Sequence, residues 1–241
     1  MMSNAYFQRL TRALGIIGLA ILVSTAQAST DLQVPPFSAT YTVRYGVLSG
    51  RMTLELRHLE NDSYWYETSL RPKGVASWLR RGEIRETTTL TLSGAGPFPL
   101  DYLNRDTIAR PNRLARYEFD ADGGRVTGEY KQRAVDAPMR SGGHNRISAH
   151  VAIMHALKSG EDIAGFAVFD RARWRDFELE IIPDQFAKTP YGKFETVEIR
   201  YASTDKDKSW SLHCAPDLDY APVMIVFREG GKTRSRAQLT N

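Results

Sequence analysis

The strongest constraint on this chain is written between Ser209 and Asn241. Trp210, Leu212 and Cys214 occupy every second position with polar residues between them, as a strand with one buried face requires. A turn cluster follows, Ala215-Pro216-Asp217-Leu218-Asp219-Tyr220-Ala221-Pro222, and then the apolar run Val223-Met224-Ile225-Val226-Phe227. Gly230-Gly231 leads into a polar last strand that reaches Leu239. Turn residues set between such runs specify a three-stranded antiparallel meander.

The same period of two recurs upstream. Phe37, Ala39, Tyr41, Val43 and Tyr45 alternate, then Met52, Leu54 and Leu56, then a strand from Tyr64 to Leu70 that carries Trp65. Gly74 to Leu79 breaks the period, as a helical turn or bent connection would. Glu83 to Leu92 resumes as a Thr-rich strand with Ile84, Leu90 and Leu92 in phase. Further strands are expected at 100–106, 113–120, 125–133, 165–170, 174–182 and 194–201, with Asp122-Gly123-Gly124 as a hairpin signal. One segment takes helical spacing. From Asn145 to Lys158, Ile147, Val151, Met154 and Ala156-Leu157 share a face, and Gly160 follows as a C-cap. The reading is an all-β, mainly antiparallel fold: a curved sheet, half-barrel or barrel of about eleven strands with one short helix. A flat sheet of that width would expose two long edges and too much apolar surface. A lone helix in such a fold plugs an end or lies across the open side.

The first 28 residues belong to a different problem. Arg9 and Arg12 precede eleven apolar residues, Ala13 to Val23, and Ala26-Gln27-Ala28 has the small-x-small form of a cleavage site. That is the pattern of a secretory signal peptide. Eleven residues fall short of the ~20 that span a bilayer. The expectation is therefore a cleaved 1–28 and a single antiparallel β domain, 29–241, exported in soluble form to a bacterial periplasm. Removing Arg9 and Arg12 lowers the formal charge from +4 to +2, which gives no case for nucleic acid as a partner. No later segment is apolar enough for a transmembrane span. Cys214 is the sole cysteine, so no intramolecular disulfide forms. It reads as a small buried apolar residue, with an intermolecular disulfide or a reactive thiol as the sharper alternatives.

Signatures of catalysis are sparse. The chain has no Gly-x-Ser-x-Gly elbow, no Walker A loop and no dinucleotide fingerprint. His150 and His155 are five apart, about 140° around a helix, and so do not form a zinc pair. With His144 they read as solvated or helix-end histidines. No cofactor, metal or catalytic residue is assigned. Two basic-aromatic stretches stand out, Trp78-Leu79-Arg80-Arg81 and Arg171-Ala172-Arg173-Trp174-Arg175. The plain reading is loop arginines paired with Glu83, Glu86, Asp170 and Asp176. The sharper one is contact with an anionic headgroup or sugar phosphate at a barrel mouth, since guanidinium forks suit phosphates and tryptophan suits a half-wet site. The candidate ligand-binding set is Tyr41, Tyr45, Trp65, Trp78, Arg80, Arg81, Arg173 and Trp174.

Several blocks together resemble the bacterial exported proteins grouped as domain of unknown function 3108. They are Phe37-Ser38-Ala39-Thr40-Tyr41 with Gly50 downstream, the Gly74-Val75-Ala76-Ser77 turn, and Pro97-Phe98-Pro99-Leu100-Asp101-Tyr102. The most specific is Trp210 with Asp217-Leu218-Asp219-Tyr220-Ala221-Pro222-Val223 and the final Leu239-Thr240. The resemblance implies a periplasmic antiparallel β protein, similar in outline to lipid-handling half-barrels, and no reaction. Three functions stay open, in this order. The first is a non-enzymatic envelope carrier holding a lipid, glycolipid or glycan. The second is an envelope interaction protein that binds a partner through an exposed strand edge. The third is an enzyme with a buried polar cluster in the cavity.

Overall fold

The computed structural model describes residues 34–60, 63–79, 81–93, 96–161, 163, 165–203 and 207–241; the expected signal peptide and Arg80 lie outside them. β1 (Phe37–Tyr45), β2 (Leu48–His58), β3 (Ser63–Lys73) and β4 (Ile84–Ser93) form a meander, with one helical turn, α1 (Val75–Leu79), between β3 and β4. β5 (Gly96–Pro99) folds back on the second half of β4, and β6 (Asp101–Asp106) pairs with its first half. β7 (Arg113–Asp120), β8 (Arg125–Tyr130) and β9 (Arg133–Pro138) follow as hairpins. β10 (Gly143–Asn145), α2 (Ser148–Ser159) and β11 (Gly165–Asp170) make a crossover unit. β12 (Arg173–Lys188), β13 (Lys193–Ser203), β14 (Lys208–Ala215), β15 (Ala221–Glu229) and β16 (Lys232–Leu239) complete the chain.

All sixteen strands belong to one sheet whose order is the sequence order made cyclic. It runs from β10 through β16, passes to β1, and ends at β9, with β5 beside β4. β16 pairs antiparallel with β1 from Tyr41↔Leu239 to Tyr45↔Ser235. The β10–β11 pair is parallel, which is why a helix must connect it. The two edge strands, β9 and β10, are neighbours in sequence and do not pair with each other, so the sheet does not close.

It overlaps itself instead. Phe169 of β11 is fully buried edge-on against Tyr117 of β7, with ring centroids 4.9 Å apart, and Phe119 lies behind at 6.3 Å. The backbone N–H of Ala172 donates to Tyr117 Oη at 3.1 Å, and Trp174 Nε1 donates to the Pro138 carbonyl at 2.8 Å. Gly143 is forced here, because a Cβ would stand 2.3 Å from the Trp174 ring. The β10–β12 end of the sheet thus packs against β7 and the end of β9.

The thirteen runs read from the sequence become sixteen strands, in part because β5 and β10 are too short to show a period. The run expected over 125–133 is two strands, folded at Lys131-Gln132. Both residues hold positive φ (51° and 65°), a primed two-residue turn built without glycine.

α2 is apolar around its circumference and sits in the concavity. Ile147, Val151 and Met154 pack with Leu54, Tyr66 and Leu90, whereas Ile153 packs with Ile199, Leu212 and Cys214. Its start is fixed by Asn145, whose Oδ1 accepts from the N–H groups of Ile147 (3.1 Å) and Ser148 (2.9 Å). Ser148 Oγ accepts the Asn145 N–H in return, completing a capping box. Asn145 Nδ2 donates to Thr88 Oγ1 on β4 at 2.8 Å, tying the inner edge of the sheet to the opposite wall. Gly160, at φ 71°, ends the helix where expected. No helix among the described residues is long and apolar enough to cross a membrane.

Candidate functional site

Where α2 stops filling the concavity, a cavity of about 500 Å³ remains. Strand alternation decides what faces it. Met52 and Leu54 of β2, Phe166 of β11 and Phe177 of β12 point in, with Trp210 and Phe227 from β14 and β15. The aromatics form a continuous wall: Phe166 to Phe177 at 5.7 Å, Tyr201 stacked on Trp210 at 5.6 Å, and Trp210 to Phe227 at 5.1 Å. Charged and polar side chains line the same cavity: Glu86, Arg146, His150, Asp170, Arg171, Arg175 and Lys208.

Glu86 lies on β4 in phase with Leu90 and is 7% exposed. It accepts a short hydrogen bond from Tyr102 Oη, which also accepts from Asn104 Nδ2 at 3.3 Å. Burial alone would push its carboxyl up. The Arg146 guanidinium and the hydrogen bonds from Tyr102 and Asn104 outweigh burial and hold it below the ordinary carboxylate range. Tyr102 is driven well above the usual phenol value by burial and by the Glu86 charge.

Arg146 follows the Asn145 cap. It lines the cavity, and 47% of its side-chain surface is accessible. Its Nε stands 3.6 Å from Glu86 Oε1, outside hydrogen-bond range. Glu86 is the largest influence raising the guanidinium pKa, against burial, with Asp170 among the lesser ones. Asp170 in turn lies 3.7 Å from Arg171 Nε and 3.6 Å from Arg175 Nε.

The histidines differ from expectation. His144 and His155 are buried, at 8% and 3% exposed, and the half-buried His150 lines the cavity from the first turn of α2. Burial pulls both His144 and His150 down to about 4, so each is neutral at pH 7. Neither Nδ1 has a hydrogen-bond partner. Among the described residues no three His, Cys, Asp or Glu side chains converge as metal ligands would. Cys214 is fully buried, and burial pushes its thiol up to about 12, which makes it unreactive.

The described residues singled out from sequence lie elsewhere. Tyr41 is core, donating through Oη to the Pro222 carbonyl at 2.5 Å. Tyr45 and Arg81 are exposed, as is Trp78 on α1. Trp65 is on the outer face beneath the Arg57 guanidinium, 4.3 Å from its ring centre. Arg173 is exposed, and Trp174 packs in the overlap. It is their hairpin neighbours, Arg171 and Arg175, that reach the cavity. Glu86 carries a sequence signal that went unused: a carboxylate in phase with Ile84, Leu90 and Leu92 is a charge on a buried face.

Comparison with known proteins agrees with the architecture. The family described as Protein of unknown function (DUF3108) matches residues 37–231. A crystal structure of the beta-barrel-like protein of domain of unknown function DUF1849 from Brucella abortus is similar, with a TM-score of 0.56 at 12% identity. The match covers 86% of this chain and 96% of that one. At that identity the likeness shows the fold alone. No curated protein matches the chain.

Proposed function

The chain belongs to the family of proteins of unknown function DUF3108, and from that premise we propose that it is an exported envelope carrier holding one lipid-like molecule. The single observation that carries this is the cavity of about 500 Å³, lined mainly by aromatic and aliphatic side chains with a few charged ones among them. That size lies within the ~300–1,000 Å³ of ligand sites, whose walls are mainly apolar with a few placed polar groups. Export to a periplasm rests on the leader pattern of residues 1–28.

The charged side chains support binding over acid–base catalysis. A general base works best with a pKa near the working pH. Glu86 is held in the opposite direction, as a permanent anion beside Arg146. A second reading, an envelope protein that pairs through a strand edge, draws on β9, whose outer side pairs with no strand among the described residues. Native mass spectrometry of protein isolated without detergent decides between them. A stoichiometric adduct that organic extraction removes supports the carrier. A bare mass together with failure to take up any alkyl-chain probe sinks it and turns attention to β9.

A further inference from the structure

We infer that the molecule held in this cavity carries an oxyanion head, carboxylate or phosphate, and that Arg146 is the residue that binds it. The inference rests on the carrier reading for the apolar part of the ligand and adds the chemistry of its polar end.

The argument starts from the hydrogen-bonding capacity of a guanidinium. Arginine offers five N–H donors in a fixed planar fork. Among the described residues Arg146 donates no hydrogen bond, and its one ion pair, to Glu86, stands at 3.6 Å. Arginines on the outer surface do better: Arg125 meets Asp136 at 2.5 Å and Arg140 meets Asp176 at 2.6 Å. Tyr102 holds Glu86 Oε1, and 47% of the Arg146 side-chain surface is open at the cavity it lines. Its donors are therefore available to a ligand that enters there.

The surroundings add charge of the same sign. Arg146, Arg171, Arg175 and Lys208 line the cavity against only Glu86 and Asp170. Asp170 lies 3.7 Å from Arg171 and 3.6 Å from Arg175. His150 adds a polar atom without a partner, and as a neutral imidazole it contributes no opposing charge. The site therefore holds an excess of positive charge beside an aromatic wall. A carboxylate or phosphate on an alkyl chain matches both halves, and guanidinium is the side chain best shaped to grip either group in two-point fashion.

The test is a calorimetric titration at pH 7 of delipidated protein with dodecanoate, dodecyl phosphate, dodecanol and inorganic phosphate. The variants are Arg146→Gln and Arg146→Lys, with Arg125→Gln as a surface-charge control. Losing a charge-assisted hydrogen bond costs about ten- to a hundredfold in affinity. Wild type and R125Q should hold at least one of the two anionic amphiphiles about tenfold or more tighter than dodecanol. R146Q should erase that preference while leaving dodecanol binding unchanged. If R146Q does not fold, R146K, a point charge without the fork, should cut the preference to about a third or less. Binding of both anionic amphiphiles to wild type no tighter than dodecanol overturns the headgroup inference and leaves the carrier reading standing. A preference that survives R146Q, or in its place R146K, overturns it equally. Inorganic phosphate binding as tightly as dodecyl phosphate also overturns it, since the site then takes a free oxyanion. Failure of every chain to bind brings down the carrier reading with it.

Discussion

A single carboxylate sets the electrostatics of the interior. Glu86 is ionised in a buried position because Arg146 and Tyr102 face it, and removing its charge tests whether that pairing holds the wall together. Glu86→Gln should destabilise the protein at pH 7 by on the order of 2–3 kcal/mol, less than the 3–5 of a dry pair, because Arg146 faces a cavity. The sign with pH follows from the lowered pKa in the folded state. The stabilisation is complete above the unfolded carboxyl value, about 4.3, and is lost as pH falls through the folded value. Urea midpoints of the two proteins should therefore converge on acidification below about pH 4. His144 acts in a different window. Its folded value is about 4 against an ordinary 6.5, so between those limits the unfolded chain binds the extra proton. Acidification across that range costs the wild type up to about 1.4 kcal/mol per pH unit for this group. His144→Leu should flatten the pH profile there by about that slope; an unchanged profile would mean the imidazole is solvated.

At the scale of elements, β10 and the start of α2 depend on one side chain. Asn145 caps the helix through two N–H groups and anchors the inner edge to Thr88. Asn145→Ala should cost on the order of 2–3 kcal/mol, a cap plus a buried hydrogen bond, measured by chemical denaturation. A loss below about 0.5 kcal/mol would mean the helix is positioned by packing alone. The helix itself, its Gly160 stop and most strands were legible from period and punctuation, because one buried face imprints itself on alternate residues. β10 was not, since three residues carry no period and a parallel pair is signalled only by the crossover that joins it. The Lys131-Gln132 fold was hidden for another reason: its turn takes positive φ at residues that advertise nothing of the kind. The binding wall was half visible. The hairpin rich in arginine stands out in the sequence, yet it is Arg171 and Arg175, not Arg173 and Trp174, that line the cavity. Alternation alone does not say which face of a hairpin turns inward when both faces carry arginine.

At the scale of the whole molecule, the overlap of β10–β12 with β7 and β9 marks where the structure is held least firmly. The ends of the described chain are joined by strand pairing between β1 and β16, so the sheet is continuous there. Its opening lies between β9 and β10, where side chains replace a backbone ladder: Trp174 to the Pro138 carbonyl, Phe169 against Tyr117, and the Arg140–Asp176 ion pair. Packing of that kind can loosen without unzipping a ladder, and β11 and β12 are also part of the cavity wall. A carrier must open somewhere, and local opening draws on the least secured unit. Trp174→Ala should therefore raise amide hydrogen exchange in β10, β11 and the first half of β12 while β1, β2, β15 and β16 keep their protection. The equilibrium cost should be on the order of 2–3 kcal/mol, below the 3–5 of a fully buried tryptophan because this one is half-buried. A uniform loss of protection over all strands would show that the overlap unfolds only with the rest of the sheet. The entry route would then have to be sought at the rim formed by the hairpin turns.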